Sequence, residues 1–408
     1  MDRIQPLFMR GSSMRNKIYF VFIGILLVLG IGVFVCPQKT MSESEKRYLS
    51  TNSDISYSNL DGDVNSLLKD QFYGREYLMK FYYNAKLLFN KVSNKAIEVV
   101  RGIKNGKSVT ADYTYLTDNV IDIGDGYLIN NVLVYDEDKY KIACQRGYNL
   151  NEVSLAFPDV KMYVYFPTKL EEILQVGDTN YGLGYRQGFL RELNENITYS
   201  SLNITSVDEH KEYFYKTDFH WNGRGAYLGY KDIINMIGQD FDLGEIKEVE
   251  EEMVYDYPWQ GGTSGEIAHT GDDDYIIDLK LKDIGEYTYY INDVETEYGS
   301  QKEYYKENGN SSEYSDYDIY FGDNSFQKRF EFNDDSKPNI LIFCDSMCNV
   351  NQEWIASHFN TTLYIDLRAN DGTFNLADLI EKYDIDIILD TQIYKNLYFN
   401  GNMFIPLD

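Results

Sequence analysis

Asn339-Ile340-Leu341-Ile342-Phe343-Cys344-Asp345-Ser346 is a short apolar run that ends on an acidic residue and a serine. Four consecutive large apolar residues bounded by polar ones read as a buried strand, and a serine just past it sits exposed at the strand's end. Working outward, Val350–His358 has helical spacing, Thr361–Leu367 is a second strand, Leu376–Tyr383 a helix and Ile385–Leu389 a third strand. Upstream, Val160–Phe166 is a β-branched and aromatic run that stops at Pro167 and leads into an amphipathic segment near Lys169. Apolar strands separated by helices predict an α/β fold, a parallel sheet covered on both faces.

The second informative stretch is Thr217-Asp218-Phe219-His220-Trp221-Asn222. Asn222 is a helix cap, opening a helix through Ala226, Leu228, Ile233, Ile234 and Ile237. Asp218 two positions before His220 can orient that imidazole, because residues i and i+2 of an extended segment project to one side. A serine hydroxyl attacks only when a neighbour takes its proton, and neutral imidazole suits that task. Ser346 as nucleophile, His220 as base and Asp218 as orienter therefore form the candidate set. The amide of Met347, at the helix start after Ser346, is the expected oxyanion donor. Trp221 is expected to wall the site against substrate. With four histidines in 408 residues, the choice of base is narrow.

Ile18–Cys36 carries no charge over 19 residues, about 28 Å as a helix at ~1.5 Å per residue and enough to cross a bilayer. Arg3, Arg10, Arg15 and Lys17 precede it against one acidic residue, Asp2. The positive-inside rule keeps residues 1–17 cytoplasmic and exports the chain beyond Pro37. No small-x-small site precedes Cys36, so an uncleaved signal anchor is expected, a cleavable signal peptide being the rival. The expected organisation is a cytoplasmic tail 1–17, a transmembrane anchor 18–36, a polar linker 37–59 and an extracytoplasmic domain 60–408. Within it, 60–95 has helical periodicity, and Tyr127-Leu128-Ile129 and Val132-Leu133-Val134 are strand candidates. Residues 245–335, acidic and rich in tyrosine, read as an insertion of strands and loops on the sheet's rim, with Asn292-Asp293 as a turn.

A net charge of −27 without a basic cluster excludes nucleic acid as a partner of the exported domain. The 38 tyrosines offer flat apolar faces suited to sugar rings, or reflect a composition habit with no function attached. Four cysteines, Cys36, Cys144, Cys344 and Cys348, make no disulfide framework. No Cys or His pair has zinc spacing, and Asp272-Asp273-Asp274 lacks a calcium-loop spacing. No cofactor and no metal is expected. Lys169 is placed to meet substrate, or is a solvated helix-start lysine. Arg368 is suited to a uronate carboxylate, or to an ion pair with Asp366 or Asp345. His269, after Gly261-Gly262-Thr263-Ser264-Gly265, lines the cleft or lies on an exposed loop.

Taken together these motifs resemble the DHHW proteins, which stand with the alginate O-acetylation proteins in the wider SGNH hydrolase-like superfamily. Asp218-x-His220-Trp221 followed by Gly223-x-Gly225-Ala226 is similar to the family motif. Asp70-Gln71-Phe72-Tyr73-Gly74-Arg75 resembles its N-terminal helix signature, and Phe166-Pro167-Thr168-Lys169 the strand end before the histidine. Cys344-Asp345-Ser346 stands at its nucleophile block, and Ile365-Asp366-Leu367-Arg368 is similar to a later strand. The resemblance covers about residues 45 to 408. It implies an SGNH-type α/β/α three-layer sandwich with Ser346, His220 and Asp218 as the triad. It also implies a membrane-anchored protein that O-acetylates a cell-surface polysaccharide beside a multi-pass membrane acyltransferase. A carbohydrate acetylesterase and a non-catalytic glycan-binding or scaffold relative are the alternatives. Phe219 departs from the family's first histidine and Cys344 from its usual glycine, and both bear on activity more than on fold.

Overall fold

The computed structural model describes residues 30–42, 47–56, 60–72, 114–117, 119–130, 136–173, 182–255, 258–267, 273–296, 316–322, 325–369, 374–397 and 404–406, with isolated positions at 19–24 and 74–88. Of the expected membrane anchor, residues 19, 20, 24 and 30–35 are helical and the others lie largely outside the described residues. No helix among the described residues is long and apolar enough to cross a membrane. Val132–Val134 and His269 also lie outside them.

The chain divides into two compact units, residues 1–86 with 268–270 and residues 87–267 with 271–408. In the first, the helix Leu60–Asp70 ends in the signature that the sequence singles out. Asp70 accepts from the Ser50 amide at 2.9 Å, and the Gln71 side chain donates to the carbonyls of Lys39 and Ser50 at 2.7 and 2.8 Å. The helical periodicity expected over 60–95 is interrupted at Gly74, where φ is +79°.

The second unit is built on an eight-stranded sheet. Its strands are β1 Lys161–Phe166, β2 Ile197–Ser201, β3 Thr288–Ile291, β4 Val294–Glu295, β5 Gln327–Glu331, β6 Ile340–Cys344, β7 Thr361–Ile365 and β8 Ile387–Thr391. The order across the sheet is β4-β3-β5-β7-β6-β8-β1-β2. The five strands from β7 to β2 are parallel, as expected. The other three are antiparallel, so the sheet is mixed rather than parallel throughout. They come from the acidic section read as an insertion of strands and loops on the sheet's rim, and they extend the sheet at one edge. Charge masks the strand signal of β5, which Lys328 and Arg329 interrupt; Arg329 stacks on Tyr290 at 3.7 Å and pairs with Glu331. The β3–β4 hairpin turns at Asn292-Asp293, both at positive φ (49° and 62°), which suits a two-residue hairpin turn.

Alternation along the strands splits the core in two. Tyr163, Tyr165, Ile340, Ile342, Ile387 and Leu389 face one side, together with residues of the helices α3 Gly223–Ile237 and α4 Gln352–Ala356. Met162, Val164, Leu341, Phe343 and Ile388 face the other, against α1 Glu137–Ala156, α2 Gly182–Arg191 and α5 Leu376–Tyr383. Helices therefore cover both faces. The expected helix at Val350–His358 is a 3-10 turn, Ser346–Val350, followed by the short α4.

The cap expected at Asn222 is present: its side chain accepts from the amides of Arg224 and Gly225 at 2.9 and 3.2 Å. Behind it the helix packs without room for side chains. A Cβ on Gly225 would stand 2.2 Å from the Tyr213 carbonyl oxygen. That close approach fixes the start of α3 directly behind the Asp218–His220 loop.

Candidate active site

Asp218 and His220 occupy the tip of a narrow loop. Phe214 bridges antiparallel to Trp221, and the Asn222 amide donates to the Tyr213 carbonyl at 2.9 Å. The tip is a turn rather than the extended segment expected. Asp218 Oδ1 accepts from the backbone amide of His220 at 2.9 Å and from its ring Nδ1 at 2.5 Å. The local hydrogen bond achieves what strand alternation was expected to do. A carboxylate only accepts, so the Nδ1 proton points to Asp218 and Nε2 is left as an acceptor. His220 Nε2 lies 2.8 Å from Ser346 Oγ, although 126 residues separate them in sequence.

Burial alone pushes the Asp218 carboxyl up. The His220 ring, together with hydrogen bonds from that ring and from the amides of Gly262 and His220, outweighs it and holds the group below its ordinary value of 3.8. The Gly262 amide reaches Asp218 Oδ2 at 2.6 Å. Beside it, a Cβ on Gly261 would lie 2.3 Å from the Asp218 Cβ and 2.4 Å from its Oδ2. Gly261→Ala is thus expected to displace the carboxylate and reduce turnover by about 100-fold, the scale of a 1 Å misplacement, with a smaller change in KM. Steady-state kinetics checks this.

A second carboxylate stands behind the first. Asp274 Oδ2 accepts from the Thr217 amide at 2.7 Å, while Thr217 Oγ accepts from the Gly261 amide at 3.0 Å. Asp274 therefore holds the same loop that carries Asp218. Its other oxygen accepts from the Tyr275 amide at 3.0 Å; of the Asp272-Asp273-Asp274 run, Asp272 lies outside the described residues. No metal-holding group of three such residues occurs among the described residues. Burial lifts the Asp274 carboxyl from 3.8 to about 6. A raised carboxyl favours the folded state while protonated, and that contribution is lost as pH rises from 3.8 through about 6. Asp274→Asn is expected to flatten the stability profile across that window by on the order of 2 kcal/mol, measured by urea denaturation against pH.

Ser346 is delivered by β6. Asp345 caps the turn just after it, accepting from the Met347 amide at 2.9 Å through one oxygen. The other oxygen takes the Ile393 amide and the Asn396 side chain at 2.8 and 2.7 Å. The Met347 amide is therefore committed to Asp345 and is not free as an oxyanion donor. The carbonyl of Met347 accepts from the Trp221 indole at 2.7 Å. Trp221 is fully buried and braces the serine turn from within, in place of the expected wall toward substrate.

Sequence reasoning missed Tyr317. Its ring lies parallel to the His220 ring, with centroids 3.9 Å apart and an 11° interplanar angle. Its hydroxyl donates to the Ser346 carbonyl at 2.9 Å. On the other face Phe219 sits 4.0 Å away. One tyrosine among 38 carries no mark in the sequence that singles it out.

Lys169 is buried, whereas Arg368 is exposed and engaged in an ion pair. The Lys169 side chain is 1% exposed, its ammonium 3.7 Å from Glu171 and 4.7 Å from the centre of the Phe219 ring. The Arg368 guanidinium forks onto Asp366 at 2.9 and 2.7 Å, the structural ion pair. Cys344 and Cys348 are buried free thiols. Its hydrogen bond to Cys344 and burial push the Cys348 thiol well above its ordinary value, which disfavours a thiolate nucleophile. His210 and His358 are core residues, lowered by burial to about 3 and about 4 respectively. Neither is bonded to the serine.

No family model and no curated protein matches the chain. Solved structures do. Bacillus cereus PatB1, in a structure with a sulfonyl adduct, aligns with TM-score 0.57 and 21% identity over 69% of this chain and 97% of its own. A DHHW family protein from Eubacterium siraeum aligns with TM-score 0.53 and 18% identity over 72% of this chain and 96% of its own. The O-acetyltransferase domain of Pseudomonas putida AlgJ aligns at TM-score 0.38 and 10% identity over 69% and 92%, too loosely to compare sites. This chain has the fold shared by PatB1 and the Eubacterium siraeum DHHW family protein.

Proposed function

We propose that this chain is an O-acetyltransferase of the SGNH-like, DHHW kind, acting outside the cytoplasm on a cell-surface polysaccharide and anchored through residues 18–36. The observation that carries the reading is the relay from Asp218 through His220 to Ser346, with contacts of 2.5 and 2.8 Å. Ser346 Oγ attacks the acetyl carbonyl carbon while His220 Nε2 takes its proton; the donor's bond to the acetyl group breaks and its leaving atom receives that proton. A sugar hydroxyl then attacks the acetyl-serine and gives its proton to His220. The new ester forms as Ser346 Oγ leaves and recovers the proton. Asp218 holds the ring and balances its transient charge. The donor's acetyl group has to reach the outer face, and a multi-pass membrane acyltransferase is the partner that would carry it.

An acetylesterase would use the same residues with water as acceptor. Ser346 is 6% exposed and His220 is buried with it, and the two readings differ only in the acceptor that reaches them. The intact relay weighs against a non-catalytic scaffold. Incubating the full chain with p-nitrophenyl acetate and glycan oligomers separates the readings. Acetylated oligomers seen by mass support transfer, acetate alone supports the esterase, and neither supports a scaffold.

A further inference from the structure

The imidazole of His220 is buried. Asp218 and Ser346 take its two nitrogens, and Tyr317 and Phe219 cover its two faces at 3.9 and 4.0 Å. When the ring accepts a proton, little water is at hand to solvate the new charge, and what faces it is two π-clouds. An aromatic face attracts a cation within about 6 Å of its centre, most strongly where water is excluded. The neutral ring gains far less from the same contact, so the attraction grows as the proton arrives and lowers the barrier instead of only tightening the ground state.

The two faces are unequal. Behind Phe219 stands the Lys169 ammonium, 4.7 Å from that ring's centre and balanced by Glu171 at 3.7 Å. An ammonium there already draws on the Phe219 ring and opposes a second positive charge beyond it. Tyr317 is held differently. Its ring is nearly parallel to the imidazole, its hydroxyl is anchored to the Ser346 carbonyl, and its edges pack on Phe321 and Tyr215 at 5.1 and 6.4 Å. The groups that set the charge on His220 are therefore Asp218, Ser346, Tyr317, Phe219 with Lys169 behind it, and Asp274 behind Asp218.

We propose that Tyr317, supplied by the short helix Asp316–Phe321 of the acidic section, is a positioning residue that stabilises the protonated form of His220 through its ring face and fixes the serine turn through its hydroxyl. The inference deepens the acyl-transfer reading and, for its effect on rate, rests on it. It also assigns a purpose to part of an acidic section that otherwise serves the sheet.

The test uses the full chain with ring-labelled histidine, following the His220 titration by NMR alongside acetyl transfer. Tyr317→Leu is expected to move the titration midpoint of His220 to lower pH by about 0.5–1 unit and to slow transfer by about 3- to 10-fold. Tyr317→Phe keeps the ring and is expected to leave the midpoint in place. Replacing Tyr317 with pentafluorophenylalanine keeps the ring's shape and reverses its quadrupole. Compared with Tyr317→Phe, which lacks the hydroxyl equally, it is expected to lower the midpoint at the same melting temperature, which separates charge stabilisation from packing and from the lost hydroxyl. A midpoint unmoved in both the leucine and the fluorinated forms overturns the proposal, even if the rate falls. A midpoint that moves in protein transferring no acetyl group supports this inference while removing the proposed function.

Discussion

Ser346→Ala is expected to abolish acetyl transfer, with kcat/KM falling by at least about 10⁴-fold, the scale seen when one member of a cooperating nucleophile set is removed. The size reflects where the hydroxyl stands. Ser346 Oγ is 2.8 Å from His220 Nε2, and no other side-chain hydroxyl is bonded to that nitrogen among the described residues. Cys344 and Cys348 do not substitute, because both thiols are buried and Cys348 is held protonated. The fold should tolerate the change. One small buried hydroxyl is lost, and a net hydrogen bond contributes only about 1 kcal/mol, while Asp345 still ties the turn to the end of β8. Intact-mass measurement after incubation with donor checks the step directly: the wild-type chain gains an acetyl group on the peptide containing Ser346, and the variant gains none. An acetyl group that still appears, or equal turnover in the two forms, removes the serine from the chemistry.

Much of this site is legible in the sequence because its parts are local. The apolar run at Ile340 is long enough to be a strand and short enough not to be a helix, so it points to Ser346 unaided. Asp218 and His220 are two residues apart, and the bond between them closes within a turn; even a wrong picture of the backbone there leads to the right pair. Asn222 is legible because a cap acts on amides only two and three residues away. What the sequence conceals is set by distant contacts. Tyr317 reaches the imidazole from an acidic, tyrosine-rich stretch with no periodicity to mark it. Met347 and Trp221 read as substrate-facing because each stands next to a reactive residue, yet Asp345 consumes the amide of one and the serine turn buries the other. Lys169 lies just past a strand end, where a lysine is usually solvated, but the fold closes over it behind Phe219. Strand β5 is hard to read because Lys328 and Arg329 interrupt its apolar alternation, and β3 and β4 because four and two residues are too few to display a period.

Asp218→Asn is expected to cost nearly as much as losing the serine, about 10³- to 10⁴-fold in kcat, through the wrong tautomer rather than a missing atom. The carboxylate receives three donors: the His220 ring and amide on Oδ1 and the Gly262 amide on Oδ2. An asparagine offers one oxygen and one NH₂. If the NH₂ faces His220, it meets a backbone donor and donates to Nδ1; the ring proton then moves to Nε2, which can no longer accept from Ser346. If the oxygen faces His220, the NH₂ opposes the Gly262 amide, and the Gly261–Gly262 loop must retreat. Either way a buried donor is left unpaired, at about 1–3 kcal/mol. Acid sensitivity supplies an independent check. The folded-state pKa of Asp218 is depressed below 3.8, so its contribution to stability is present above that pH and is lost as pH falls through the folded value. The asparagine form should lack that part of the acid transition while keeping the rise in stability that Asp274 gives as pH falls toward 3.8 from about 6. Nitrogen NMR of the His220 ring reads the tautomer, and stopped-flow acetyl transfer reads the rate. Wild-type turnover in the Asp218→Asn form with the ring proton still on Nδ1 would mean that the carboxylate neither orients nor balances the base.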